Sequence, residues 1–374
     1  MNIPRAISML PSILPSIFAS ILAGSLLLAH DAAAQSQFIP APGTDKPAAT
    51  PTPAQTPKPE AKPEAKAKGK KPGDSKPAAP AASATPEAAP DDPNVDVVYG
   101  AFQVGKYKTT FNLALPRAQA GDAKAMTMLG ELYSNGLGVK RDFAKALDWF
   151  KRGSDAGDRE AMFQLAMMRI AGRGAPADRD AAVKLLASAA KLGEPKAAYN
   201  LALLYLDGQT LPQDVKRSAE LLRQAADAGN AEAQYALATF YKEGTGVEKD
   251  MDKAVRLLQA AALADNVDAE VEYAIALYNG SGTPKNEPAA VALLRKAAKA
   301  NSAIAQNRLA RVLISGQGAP MDKIEGFKWH LVAKTAGRGD PDLDAQLNDL
   351  SPDDRAKAEA AAKRWLGVKA AAVK

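Results

Sequence analysis

Chemistry near neutral pH needs a nucleophile, a proton carrier or a metal ligand, and this chain is poor in all three. It has no cysteine and two histidines, His30 and His330. His30 falls in an N-terminal stretch that reads as an export signal. A Ser-His-Asp arrangement or a histidine-based zinc site would therefore rest on His330 alone. The equivalent positions upstream hold Phe150, Leu186, Leu222, Leu258 and Leu294. A slot filled elsewhere by large apolar side chains belongs to a core, so His330 is expected to pack rather than to catalyse. Glycine pairs such as Gly244 and Gly246 lack the strand context and the Lys-Ser/Thr of a phosphate loop, and they read as turn residues. Carboxylate pairs are common, but none stands in an apolar stretch that would raise a pKa. No catalytic residue, metal site or cofactor is expected, and the chain reads as non-enzymatic. A hydrolase with a groove carboxylate pair is the third-ranked reading.

The equivalence that places His330 is a period of 36 residues. Ala125, Ala161, Ala197, Ala233, Ala269 and Ala305 follow it, as do Gly136, Gly172, Gly208, Gly244, Gly280 and Gly316. Self-similarity at this spacing marks a repeat array. Within 231–266, Ala233, Leu237, Phe240 and Tyr241 fall on one face of a helix, called A here. The next position along from Leu237 is small in every unit: Gly130, Ala166, Ala202, Ala238, Ala274 and Ala310. After a glycine loop, Asp142, Asp178, Asp214, Asp250, Asn286 and Asp322 stand where an N-cap should open a second helix, B. Helix B then ends at Gly157, Gly193, Gly229, Asp265, Asn301 and Gly337, the residue types that best tolerate a left-handed backbone. The third unit departs in its loop, with Thr210 in place of the second glycine and Pro212 nearby.

The rest of the chain frames this array. Residues 1–34 carry Arg5, an apolar stretch within 13–29 and Ala32-Ala33-Ala34, the layout of a secretory signal cleaved before Gln35. A retained membrane anchor is the alternative, though Pro15 and Gly24 break the run. Absence of cysteine excludes a lipoprotein anchor. The expected location is therefore periplasmic or secreted, with no membrane span left after cleavage. Residues 35–93 hold 14 of the 26 prolines and almost no large apolar residue beyond Phe38 and Ile39. Such a stretch is expected to be a disordered linker. Its segment 58–76 has seven lysines against three acids, which reads as a spacer or as a contact to anionic envelope polymer. The net charge of +6 is spread through alternating acids and bases, so nucleic acid is not an expected partner.

Domain boundaries follow. Residues 94–122 form a degenerate first unit whose second helix Pro116 should distort. Six full units follow at 123–158, 159–194, 195–230, 231–266, 267–302 and 303–338. Residues 339–374 are a cap and tail, with a helix opened by Ser351 and Pro352 and a packing face of Ala358, Ala361, Ala362, Trp365 and Leu366.

The pattern Ala-x-x-x-Leu-small-x-x-Tyr, Gly-x-Gly, Asp-x-x-x-Ala resembles the Sel-1-like repeat (SLR) family. The fourth full unit carries it at Ala233, Leu237, Ala238, Tyr241, Gly244, Gly246, Val247, Asp250, Lys253 and Ala254. The resemblance implies an all-α fold, an α/α solenoid (superhelix) of about seven helix-pair units related to tetratricopeptide arrays, with a C-terminal capping helix. It also implies a scaffold or adaptor that holds a protein partner in a concave groove. Exported bacterial members include regulators that bind the periplasmic parts of signalling receptors.

By the same analogy helix A lines the groove. One row is Thr127, Phe163, Tyr199, Tyr235, Val271 and Asn307. A second is Glu131, Met167, Leu203, Thr239, Ile275 and Arg311. Successive aromatics are common interface anchors, and apolar residues on an open face mark contact sites. The expected function is an exported scaffold that regulates an envelope signalling or assembly system. A cell-wall or polysaccharide binder using the Lys-rich linker is the alternative.

Overall fold

The computed structural model describes residues 96–372. The expected signal (1–34) and linker (35–93) lie outside the described residues. Among the described residues there are sixteen helices and no strand.

A short pair opens the array, α1 (Val97–Gln103) and α2 (Tyr107–Gln119). The A and B helices of the six full units alternate after it. They are α3 (Ala123–Asn135) and α4 (Phe143–Asp155), α5 (Arg159–Ala171) and α6 (Arg179–Lys191), and α7 (Pro195–Asp207) and α8 (Val215–Asp227). Then come α9 (Ala231–Glu243) and α10 (Met251–Leu263), α11 (Val267–Asn279) and α12 (Glu287–Lys299), and α13 (Ala303–Ser315) and α14 (Lys323–Thr335). Two helices end the chain, α15 (Pro341–Asn348) and α16 (Pro352–Ala372).

Each A helix packs on its own B helix, and each B helix packs on the A helix of the next unit. This alternation is the α/α solenoid. The core runs without a break through unit boundaries, from Phe163 and Leu186 through Leu222 and Leu237 to Leu258 and Ala269. A single helix pair could not bury these side chains alone, since the A helix of the next unit covers part of them. Each fully buried leucine contributes roughly 1.5–3 kcal/mol. The small position in helix A is a packing requirement. In the first full unit a Cβ on Gly130 would lie 2.6 Å from the ring of Phe150. Phe150 stands where every later unit before the last has leucine, so the larger ring is matched by the smaller partner.

Helix ends follow local chemistry. The side chains of Asp142, Asp178, Asp214, Asp250, Asn286 and Asp322 each accept a backbone N–H in the first turn of their B helices. Helix A is capped in the same way by Asp122, Asp158, Glu194, Asn230, Asn266 and Ser302, a series that the sequence reading did not single out. Asp265 and Asn301 hold φ of 60° and 70° after their B helices, as their residue types anticipate.

The second loop glycine answers to a different need. A Cβ on Gly246 would lie 2.8 Å from the Val215 carbonyl oxygen, at the first residue of the preceding B helix. In five of the six units the loop is thus pressed onto the start of the preceding B helix. Thr210 replaces that glycine in the third loop and is not among the residues with positive φ.

Two expectations need correction. Helix α2 continues unbroken through Pro116 to Gln119. The carbonyl that Pro116 cannot serve belongs to exposed Asn112, so solvent can take the lost bond. In the cap, Ala358 and Ala362 are buried and Trp365 meets Trp329 edge-on at 5.0 Å, but Leu366 faces outward. Ser351 does cap α16, accepting the Asp354 N–H at 3.1 Å.

Candidate interaction face on the A helices

The two rows expected to meet a partner do not share one environment. In the first, Thr127 is buried and its hydroxyl lies 3.0 Å from the Asp158 carboxylate, the N-cap of the next A helix. Phe163 is 8% exposed, with the Lys196 ammonium 5.9 Å from its ring. Val271 is also buried. Tyr199 and Tyr235 are half-buried, and neither hydroxyl has a hydrogen-bond partner among the described residues. Burial and the nearby Glu232 push the Tyr199 phenol up to about 12. The Tyr235 phenol rises further, through burial and then Glu272, Asp268 and Glu243. Asn307 at the row's end is buried and donates to Asp340 at 3.2 Å.

The second row is half-buried throughout: Glu131, Met167, Leu203, Thr239, Ile275 and Arg311. Thr239 donates to the Tyr235 carbonyl. Arg311 is held by Asp340 at 2.6 Å. Asp340 is the N-cap of α15 and is 2% exposed. It therefore closes both rows at the last unit, and Asn307 and Arg311 serve the cap there. Phe163, Thr127 and Val271 present little surface. The accessible part of the face runs through Met167, Tyr199, Leu203, Tyr235, Thr239 and Ile275.

Acids surround that part, and here the structure departs from the sequence reading. Burial, and then Glu160, raise the pKa of Glu131. Burial and Glu272 raise that of Asp268. These carboxylates do stand in poorly solvated settings, because neighbouring units supply the walls that one unit's sequence does not reveal. Lys242 pairs with Glu272 at 3.1 Å and Lys196 with Glu160 at 3.6 Å. Glu131, Glu232 and Asp268 have no ion pair among the described residues. Glu232 and Asp268 stand one period apart in the sequence, a signal that could have found them.

His330 sits elsewhere and is fully buried. Its Nε2 lies 2.8 Å from Asp344 on α15, and Lys334 reaches the same carboxylate at 2.8 Å. The carboxylate can only accept, so Nε2 carries the proton. The ring is a packed core group, as its slot predicts. Among the described residues no cluster of three or more His, Cys, Asp or Glu side chains could hold a metal ion. No helix among them is long and apolar enough to cross a membrane.

Comparison with known proteins agrees with the architecture. The chain resembles a Sel1 repeat protein from Oxalobacter formigenes at 25% identity and a TM-score of 0.58, over 65% of this chain and 100% of that one. It also resembles c5321, a protective antigen present in uropathogenic Escherichia coli strains and displaying an SLR fold. That likeness is 24% in identity with a TM-score of 0.50, over 70% of this chain and 64% of that one, and it bears on fold alone. No curated protein matches the chain. The family model for the Sel1 repeat matches residues 123–158, 159–194, 195–230, 231–266, 267–302 and 303–337. With six consecutive repeats covering more than half of its length, the chain belongs to the Sel1 repeat family.

Proposed function

We propose that this chain is an exported scaffold that binds an extended segment of a protein partner along its A helices, centred on Tyr199 and Tyr235. Sel1 repeats build scaffolds for protein–protein contact. The observation that carries this reading is the pair of half-buried tyrosines on adjacent units, whose hydroxyls lack partners. A tyrosine ring is a rigid apolar anchor with one polar end, and a buried phenol usually finds a hydrogen-bond partner. A bound segment would supply it.

The reading places the partner in the bacterial envelope or outside the cell, in a signalling or assembly system, because residues 1–34 have the layout of a secretory signal. Edman sequencing of the mature protein should begin at Gln35; a retained Met1 would refute cleavage. The seven lysines within 58–76 favour a second, separable contact with anionic wall polymer. Deleting 58–76 should then release the protein from purified cell wall, and unchanged retention would refute it.

The face is tested by changing Tyr199→Ala and Tyr235→Ala together in the full chain. Helical circular dichroism should persist, while affinity for a partner recovered from envelope extract by cross-linking falls at least tenfold. Unchanged affinity in a folded variant overturns the assignment. The Tyr199→Phe, Tyr235→Phe pair isolates the hydroxyls if the alanine pair unfolds.

A further inference from the structure

Four large apolar side chains stay half-buried together where α5 and α7 meet. Met167, Ile170, Leu203 and Leu204 line a cavity of about 400 Å³ there, the size of a small-ligand or side-chain site. Its charged rim residues are Arg179 and Asp207. They have opposite signs and no ion pair among the described residues, so the rim favours neither an acidic nor a basic occupant. An uncharged apolar segment is what fits.

The chain carries one such segment. Within 35–93 the only large apolar residues are Phe38 and Ile39, side by side, and residues 35–44 around them hold no ionisable side chain. The length of the intervening chain permits the contact. Residues 40–96, read as a linker, span roughly 40 Å root-mean-square. At helix spacings of about 8–10 Å, α5 and α7 stand roughly 20–30 Å along the array from α1. A tether of matching span gives an effective concentration on the order of 1 mM, so even a contact with a Kd of about 0.1 mM is closed about ten to one. We propose that Phe38 and Ile39 dock into this cavity as an internal ligand. Met167 and Leu203 also belong to the accessible face of the A helices, so the docked pair covers part of that face and a partner segment must displace it. This consequence rests on the face proposed above; the docking itself does not.

The chain has no cysteine, so an introduced pair reads the contact cleanly. Ala41→Cys with Gln209→Cys, on the cavity wall, is compared in the full chain and a glutathione buffer with Ala41→Cys and Asp252→Cys, on the exposed side of α10. The effective concentration for the intramolecular disulfide should be at least tenfold higher at position 209 than at position 252. Phe38→Ala with Ile39→Ala should bring the two within twofold. Equal effective concentrations before that change, or an excess that survives it, overturn the docking. A disulfide that forms only between copies, in proportion to protein concentration, overturns it as well. A second measurement works in trans, by fluorescence anisotropy of a labelled peptide of residues 35–44. It should bind the Phe38→Ala, Ile39→Ala full chain at least fivefold tighter than the unaltered chain, whose own segment holds the cavity. Leu203→Gln in the alanine background should abolish that binding. Equal binding by the altered and unaltered chains overturns the docking. Neither readout contains a partner, so partner capture that ignores Tyr199 and Tyr235 refutes the tyrosine face alone.

Discussion

Tyr235 and Asn307 occupy the same position of their repeats, and so do Thr239 and Arg311, yet their fates are opposite. In the fourth unit both positions are half-open, and the Tyr235 hydroxyl has no partner among the described residues. In the sixth, Asn307 and Arg311 are clasped by one buried carboxylate, Asp340. A lattice position is therefore a location and not a role. What decides is the element beyond it: another A helix in mid-array, or the short capping helix α15 at the end. Thr127 makes the same point from the other end, because its hydroxyl meets the N-cap of the next A helix, where later units carry Phe163, Tyr199 and Tyr235.

The largest effect is expected at Asp340. Asp340→Ala removes the buried acceptor shared by Asn307 and Arg311 and leaves Arg311 only the exposed Asp342 at 3.8 Å. A hydrogen bond to a charged group contributes about 1.5–3 kcal/mol, and with Arg311 23% exposed a loss of that order should appear in urea unfolding followed by Trp329 and Trp365 fluorescence. A loss under 1 kcal/mol would show that the cap does not depend on the clasp.

Gly246→Thr imports the third unit's loop into the fourth. A left-handed non-glycine backbone costs of order 1–3 kcal/mol, and the close approach to Val215 adds to it. Hydrogen exchange should show the drop in protection concentrated in α8 and α9, since contacts in an array are local. The converse, Thr210→Gly, should cost no more than about 1 kcal/mol, the entropic penalty of glycine.

The two regions should also answer pH with opposite signs. Hydrogen bonds from Lys334 and His330 hold the Asp344 pKa below its ordinary 3.8. Its contribution to the cap is present above that value and is lost as pH falls through the lowered one. Burial holds Asp268 above 3.8 and Glu131 above 4.5. Their penalty on the folded state grows as pH rises from those ordinary values through the raised ones. Exchange protection, corrected for intrinsic rates, should therefore fall in α14 and α15 on strong acidification, while α3 and α11 hold or gain. A uniform response along the array would refute the contrast.

The smallest effect belongs to Tyr199→Phe with Tyr235→Phe. Hydroxyls without partners contribute little, so the unfolding midpoint should move by less than about 0.5 kcal/mol. A larger loss would reveal a bond that the face does make.

Much of this was legible in the chain. Asp142 and its five counterparts announce helix starts, and Asp265 and Asn301 announce left-handed ends. His330 announces a core slot through its leucine equivalents. Thr210 was visible as a departure, but the cavity it lines was not, because the other walls come from α5 and α7 together. Asp340 was hidden for a related reason. It lies two residues off the 36-residue lattice, and nothing local marks it as the partner of Asn307.

By itself the sequence determined the period, the helix pair, the caps and the glycine turns. Each of these is settled by backbone geometry within a few residues. Only the tertiary structure decided that Phe163 is covered while Tyr199 is half-open, that Glu131 and Asp268 sit among poorly solvated neighbours, and that Arg311 belongs to the cap. Burial and electrostatics depend on distances to side chains one unit away, and those distances are set only when the units stack.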